Sequence, residues 1–187
     1  MPVSRPASQY LPSVEEYLQQ EAGSRLRHEY LAGEVFAMTG ASPRHNRIAG
    51  RLYVAFANHL GSGPCQPYMS DVKVRFKINS DEYLYYPDVM VACDREGERE
   101  HYLRNPKLIV EILSPSTEEI DRREKAIHYR SILSLEEYAL VAQDDREVTL
   151  QRRSDHWKST VYTAPEHVVE FRSIGLSLPI AKIYEGV

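Results

Sequence analysis

Leu108-Ile109-Val110-Glu111-Ile112-Leu113 sets five apolar residues around one carboxylate, and Ser114-Pro115-Ser116-Thr117 closes the run. Its short length, its β-branched content and the flanking Pro106 and Pro115 favour a buried strand over a helix. Side chains alternate along a strand, so Glu111 shares a face with Ile109 and Leu113. Both faces are apolar, as in a central strand covered on two sides. An unpaired carboxylate there costs several kcal/mol or takes up a proton. A metal ion, a buried Lys or Arg, or solvent in a cleft must therefore offset its charge.

The pattern around this strand is that of an α/β domain. Residues 1–12 read as a leader broken by Pro2, Pro6 and Pro12. Ser13 is placed to cap a short helix from Val14 to about Glu21, with Glu16 three residues after the cap. His28 to Leu31 and Glu34 to Met38 flank Ala32-Gly33, which predicts a hairpin. From Ser42 to Leu60 the spacing is helical: His45, Ile48, Leu52, Ala55, Phe56 and His59 form one stripe, with Arg44, Arg47, Arg51 and Asn58 along its flank. That arginine flank suits either a phosphate backbone or plain solvation. Val72, Val74 and Phe76 alternate with polar residues as in a half-buried strand. A second run, Tyr83 to Ala92, contains Pro87 and so predicts an edge or a bulge next to Asp88. Asp94 to Asn105 is a charged connection. A helix is expected from about Thr117 to Leu133, then strands at Glu136–Val141, Glu147–Arg152 and Trp157–Tyr162. The expectation is one domain over residues 1–187: a mixed sheet flanked by helices, with an N-terminal hairpin and a β-rich C-terminal extension.

Composition narrows the functional classes. With 42% hydrophobic and 27% charged residues, the chain is an ordinary globular protein. Its net charge of −4 does not by itself call for nucleic acid, although a local basic surface is enough for binding. Cys65 and Cys93 lack CxxC spacing and clustered histidines, which argues against a disulfide framework and structural zinc and fits a reducing cytoplasm. No apolar run approaches membrane-spanning length, and the first residues lack an apolar signal core.

Three residues stand where chemistry can happen: Asp88 after Pro87, Glu111 on the buried strand 23 residues later, and Lys125 on the following helix. Two carboxylates on adjacent strands can hold one hard divalent cation, and a backbone carbonyl beside Glu111, that of Ile112, can add a ligand. A nearby ammonium can orient water and offset developing negative charge.

Pro87-Asp88 followed by Glu111-Ile112-Leu113 resembles the PD-(D/E)xK nuclease superfamily, with Leu113 where that pattern has lysine. More closely, Val110-Glu111-Ile112-Leu113-Ser114-Pro115-Ser116-Thr117, with Asp121, Glu124-Lys125 and Tyr129 after it, resembles the Uma2 family (DUF820), in which the lysine has moved to the next helix. The resemblance covers roughly residues 10–180 and takes in the hairpin, His45 and Glu137-Tyr138. It implies a restriction-endonuclease-like fold and a Mg²⁺- or Mn²⁺-dependent endonuclease acting on DNA. Asp88 and Glu111 would bind the metal and Lys125 would assist the attacking water; cutting both strands would call for a homodimer. The alternative is a catalytically silent module binding nucleic acid or protein on the same fold. At the level of residues, alternatives stay open: Glu111 as half of a buried salt bridge to Lys125, Lys125 as a surface partner of Asp121, and Asp88 as a strand-end cap. His45 and Glu29 are candidates for contacts around the site; Asp71, His128 and Cys65 read as structural.

Overall fold

The structure is a computed structural model that describes residues 11–38, 40–94, 101–115 and 118–187. The leader as far as residue 10, the middle of the charged connection (95–100) and the expected helix start at Thr117 lie outside the described residues. Helix α1 (Val14–Gly23) begins as the sequence implies. The Ser13 hydroxyl accepts the Glu16 N–H at 3.2 Å, and the Glu16 carboxylate accepts the Ser13 N–H at 2.8 Å. Strands β1 (His28–Leu31) and β2 (Glu34–Ala37) form the expected hairpin. Its turn residues Ala32 and Gly33 both have positive φ, 51° and 101°, as a type I′ turn requires. Helix α2 (Pro43–Leu60) starts at Ser42, whose hydroxyl accepts the His45 N–H at 3.0 Å, and buries Ile48, Ala49, Leu52 and Phe56.

The strands then divide between two main sheets. Strands β3 (Gln66–Met69), β4 (Lys73–Ile78), β5 (Asp81–Tyr85), β6 (Val89–Ala92), β7 (Tyr102–Leu103) and β8 (Pro106–Leu113) precede the next helix. That helix has three parts: α3 (Glu118–Ile120), a π-helical turn (Asp121–Lys125) and α4 (Ala126–Arg130). Strands β9 (Glu137–Ala142), β10 (Val148–Arg152), β11 (Ser159–Tyr162), β12 (Val168–Phe171) and β13 (Leu176–Pro179) follow, and α5 (Ile180–Ile183) ends the chain. One sheet runs β2-β1-β5-β4-β7 and the other β11-β10-β9-β8-β6-β3, with β12-β13 as a separate ribbon. The β8–β9 and β4–β7 pairs are parallel and the rest antiparallel, so both main sheets are mixed.

Strand β8 lies inside the six-stranded sheet, buried on both faces. Leu108, Val110 and Ile112 pack with α2, β12 and α5 residues, whereas Ile109 and Leu113 pack with Val74, Tyr85, Tyr129 and Tyr138. Glu111 therefore faces the second cluster, toward the five-stranded sheet and α4, as alternation along β8 demands.

Three sequence expectations change. Tyr83 to Ala92 is not one strand: β5 ends at Tyr85, and the chain passes through Tyr86, Pro87 and Asp88 into β6 of the other sheet. Proline marks the crossing because it cannot donate to a ladder. The helix of about 117–133 stops at Arg130 and contains a π turn, leaving Leu133 90% exposed. Cys65 and Cys93 are joined by a disulfide, one register step beyond the Gln66–Ala92 pair of β3 and β6. This bridge overturns the expectation against a disulfide, because its pairing is set by strand register and no sequence motif reports that. Among the described residues, no helix is long and apolar enough to cross a membrane.

Candidate active site

The β6–β8 register pairs Val89 with Val110, which sets Asp88 opposite Glu111. The two are locked reciprocally. The Asp88 N–H donates to Glu111 Oε2 at 3.1 Å, and the Ile112 N–H donates to Asp88 Oδ2 at 2.7 Å. The π turn turns both Asp121 and Lys125 inward, where each is buried. The Lys125 ammonium lies 3.1 Å from Glu29 Oε1, 3.4 Å from Glu111 Oε1 and 3.6 Å from Asp121 Oδ1. A surface pair with Asp121 is thus replaced by a buried cage of three carboxylates, one of them from the N-terminal hairpin. Glu29 is itself held by the Tyr86 N–H at 3.2 Å.

Two further groups complete the cluster. The Tyr129 hydroxyl donates to Glu111 Oε1 at 2.8 Å, and His45 Nε2 stands 3.1 Å from Asp88 Oδ2. Tyr129 follows Lys125 by four residues on the same helix face, a spacing visible in the sequence but not assigned a role. His45 reaches the site because the capped first turn of α2 points at the Asp88 end of β6.

Three carboxylates therefore share the Lys125 ammonium and a fourth, Asp88, faces His45, and the electrostatics follow. Burial pushes Glu111 well above the usual carboxylate range; Lys125 opposes the rise, and Asp88, Asp121 and Glu29 add to it. Burial works against the Lys125 charge, but Glu111, Glu29 and Asp121 outweigh it and hold the pKa well above that of an ordinary lysine. The two shifts differ in origin, burial first for Glu111 and neighbouring carboxylates for Lys125, and both favour a protonated lysine. Burial lowers the His45 imidazole, yet the hydrogen bond and charge of Asp88, with a smaller contribution from the Ile112 backbone, carry it upward on balance. Burial raises Tyr129 strongly, so its hydroxyl stays a neutral donor.

Asp88, Glu111, Asp121, Lys125 and His45 line a cleft of about 760 Å³. Among the described residues, no three His, Cys, Asp or Glu side chains form a ready-made ligand shell. The donor set still suits Mg²⁺ or Mn²⁺, because such ions take oxygen ligands and commonly use only one or two carboxylates, leaving positions for water and phosphate. Asp88, Glu111 and the Ile112 carbonyl would be the protein's share of that shell.

The arginines spaced to follow a phosphate backbone are instead engaged within the chain. Arg44 donates to the Gln143 carbonyl, Arg47 to the Gly186 carbonyl at 3.4 Å, and Arg51 lies 4.0 Å from Glu185. Arg122 pairs with Glu118 and Glu147, Arg123 with Glu119, and Arg130 donates to Gln151. The flank of α2 thus fastens the chain's last residues and the end of β9.

Comparison with known proteins bears on family and fold. The Uma2 family model, described as "Putative restriction endonuclease", matches residues 14–181. An uncharacterised protein of Synechocystis sp. is 40% identical over 178 residues, covering 94% of this chain and 92% of that protein. A second uncharacterised Synechocystis protein is 34% identical over 131 residues, covering 68% of this chain and 73% of its own length. A crystal structure from Anabaena variabilis, described as a "putative nuclease belonging to DUF820", superposes with a TM-score of 0.75. It covers 91% of this chain and 96% of that one at 18% identity, a likeness of fold.

Proposed function

The chain belongs to the Uma2 family, and from that membership we propose that it is a metal-dependent endonuclease hydrolysing DNA phosphodiester bonds. The observation that carries the proposal is the charge imbalance: Glu29, Glu111 and Asp121 surround the ammonium of Lys125 while a fourth carboxylate, Asp88, stands beside Glu111 and faces His45, all along an open cleft. Asp88 and Glu111, with the Ile112 carbonyl, are the residues that would hold Mg²⁺ or Mn²⁺. A hard divalent cation there supplies charge stabilisation on a phosphoryl oxygen and makes water a better nucleophile near neutral pH. Lys125, kept protonated by its three carboxylates, would orient an attacking water and offset the negative charge that grows on the phosphate. It is a donor and not a general base. Tyr129 and the Asp88 N–H fix the Glu111 carboxylate, and His45 fixes Asp88. Cutting both strands of a duplex calls for two such sites, so a homodimer is part of the proposal.

The test uses a supercoiled plasmid and a thermal melt side by side. Wild type should nick or linearise the plasmid with Mn²⁺ and not with EDTA, and millimolar Mn²⁺ should raise its Tm by mass action on the folded state. Asp88→Asn should lose both effects. Lys125→Ala should lose cleavage and keep a Tm shift with Mn²⁺. Equal Tm shifts in wild type and Asp88→Asn would remove the metal assignment.

One observation favours a second reading, a silent binding module. Both Glu111 oxygens and Asp88 Oδ2 already have partners inside the chain, as in a purely structural buried ion pair. DNA binding without Mn²⁺-dependent turnover would select it.

A further inference from the structure

The cleft in front of Asp88 is not acidic throughout. Arg25, Leu26 and Arg27 of the α1–β1 loop also line it, together with Met38 and Met69. Arg27 continues the hairpin ladder, since its carbonyl accepts the Met38 N–H at 2.8 Å. In extended chain, residues two apart share a face and stand about 7 Å apart, so Arg27 projects on the same side as Glu29. Glu29 contacts Lys125, so the Arg27 side chain leaves the backbone one strand repeat from the residue that reaches the ammonium of the site.

A second connection fixes the same distance scale. The Ser70 N–H lies 3.2 Å from the Pro87 carbonyl and 3.3 Å from that of Asp88, and the next residue, Asp71, forms an ion pair with Arg27. Only the β3–β4 turn separates Arg27 from Asp88. The Arg27–Asp71 pair is open to solvent, with side chains 49% and 68% exposed, and such pairs contribute little. A guanidinium held so weakly can turn to a phosphate, with which it forms two parallel charge-assisted hydrogen bonds. Lys73 adds positive charge behind the loop, its ammonium buried 3.1 Å from the Tyr86 hydroxyl.

We infer that Arg25 and Arg27 form a phosphate subsite for the nucleic-acid strand, taking the phosphate next to the one at Asp88 and Glu111. Leu26, Met38 and Met69 supply apolar contact for the intervening nucleotide, and Asp71 is the internal carboxylate that the phosphate displaces from Arg27. The inference rests on the nuclease reading above and gives the strand a path across the cleft, from the carboxylates onto the α1–β1 loop.

The test is fluorescence anisotropy of the full chain with a 5′-labelled single-stranded 12-mer oligodeoxynucleotide in EDTA, across a series of KCl concentrations. Two lost single-strand contacts should flatten the plot of log K against log[KCl] by about 1.4 in Arg25→Ala/Arg27→Ala, with at least tenfold weaker binding at low salt. Asp71→Asn should bind about fourfold tighter at low salt, which is what one charge about 5 Å from a phosphate is worth in water. Arg123→Ala, remote from the cleft, should match wild type. The subsite is overturned if the double variant keeps the wild-type slope, if Asp71→Asn binds more weakly, or if wild type binds no oligonucleotide. The plasmid assay separates the two claims. Mn²⁺-dependent cleavage lost in Asp88→Asn, beside an unchanged slope in the arginine variant, leaves the nuclease standing and removes only the subsite.

Discussion

Replacing Lys125 by methionine keeps the length of the stem and removes the charge that three carboxylates share. At 3.1, 3.4 and 3.6 Å, each attraction is worth about 5 kcal/mol at an effective dielectric constant of about 20. Most of that gross attraction is offset by desolvation of the ammonium and by repulsion among the carboxylates. Breaking one side of a buried pair typically costs about 3–5 kcal/mol, because the stranded charge stays in the interior. For a chain of this size that lowers Tm by about 6–20 °C. The deficit should depend on pH with a definite sign. A carboxyl whose folded pKa lies above its unfolded value costs stability as pH rises between the two and costs none below both. Glu111 is already shifted upward and should shift further without Lys125, so the deficit should be smaller at pH 5 than at pH 8. Urea melts followed by circular dichroism at both pH values measure it. Glu111→Gln added to Lys125→Met should recover part of the loss, with a coupling of about 2 kcal/mol in the double-mutant cycle. A Tm within 2 °C of wild type and no coupling would show that solvent already screens the cluster, and the reasoning would fail.

Three other outcomes follow from groups away from the cleft. Burial holds the Lys73 ammonium below the ordinary lysine range, Glu21 opposing and Arg27 adding to the effect. That penalty is present in full below the folded pKa and fades only well above the unfolded value of about 10.4, so Lys73→Met should be stabilising at pH 7 and should lose most of that advantage by about pH 11.5 in chemical melts. Glu137 accepts from Arg152 Nε at 2.8 Å, the Arg172 N–H at 3.1 Å, and the Ser173 N–H and hydroxyl at 2.9 and 2.6 Å. Arg152→Met should therefore cost about 3–5 kcal/mol while leaving plasmid cleavage at low temperature unchanged. Reducing the Cys65–Cys93 bridge, which closes a separation of 28 residues, should cost about 3.5 kcal/mol on a chain-entropy basis, and a melt unchanged by dithiothreitol would show the thiols to be unpaired.

Local signals survived into the structure because they act within a few residues. The Ser13–Glu16 box, the Ala32-Gly33 turn and the Ser42 cap each bond to neighbours in sequence, so α1, the hairpin and α2 begin where expected. Glu111 was legible for a different reason: a carboxylate amid five apolar residues must find partners, whatever the topology. Its partners were less legible. Glu29, Lys125 and Tyr129 lie 82, 14 and 18 residues from Glu111, and Glu29 arrives only because β1 and β5 share a sheet that packs over β8. The change of sheet at Tyr86-Pro87-Asp88 was hidden by an apolar run that reads as continuous strand. The arginine flank of α2 was ambiguous because helical spacing shows which residues share a face and not what covers that face.

The π turn at Asp121–Lys125 has a consequence for how this chain tolerates changes of length. Such a turn carries one residue more than an α-helical turn. Losing three nucleotides from the reading frame, for example the codon of the exposed Arg123, would let the segment relax into an unbroken α-helix. The deletion removes the extra residue itself, so α3 and α4 would keep their relative rotation and Lys125 and Tyr129 would still face Glu111. A second codon lost from the same helix would find no bulge to absorb it, and the segments on either side would rotate by about 100° relative to each other. Losing Ser80 instead would shorten the two-residue turn between Ile78 and Asp81 and force β5 out of register with β4. This helix therefore holds one residue in reserve, and the first deletion there should be tolerated where the second is not.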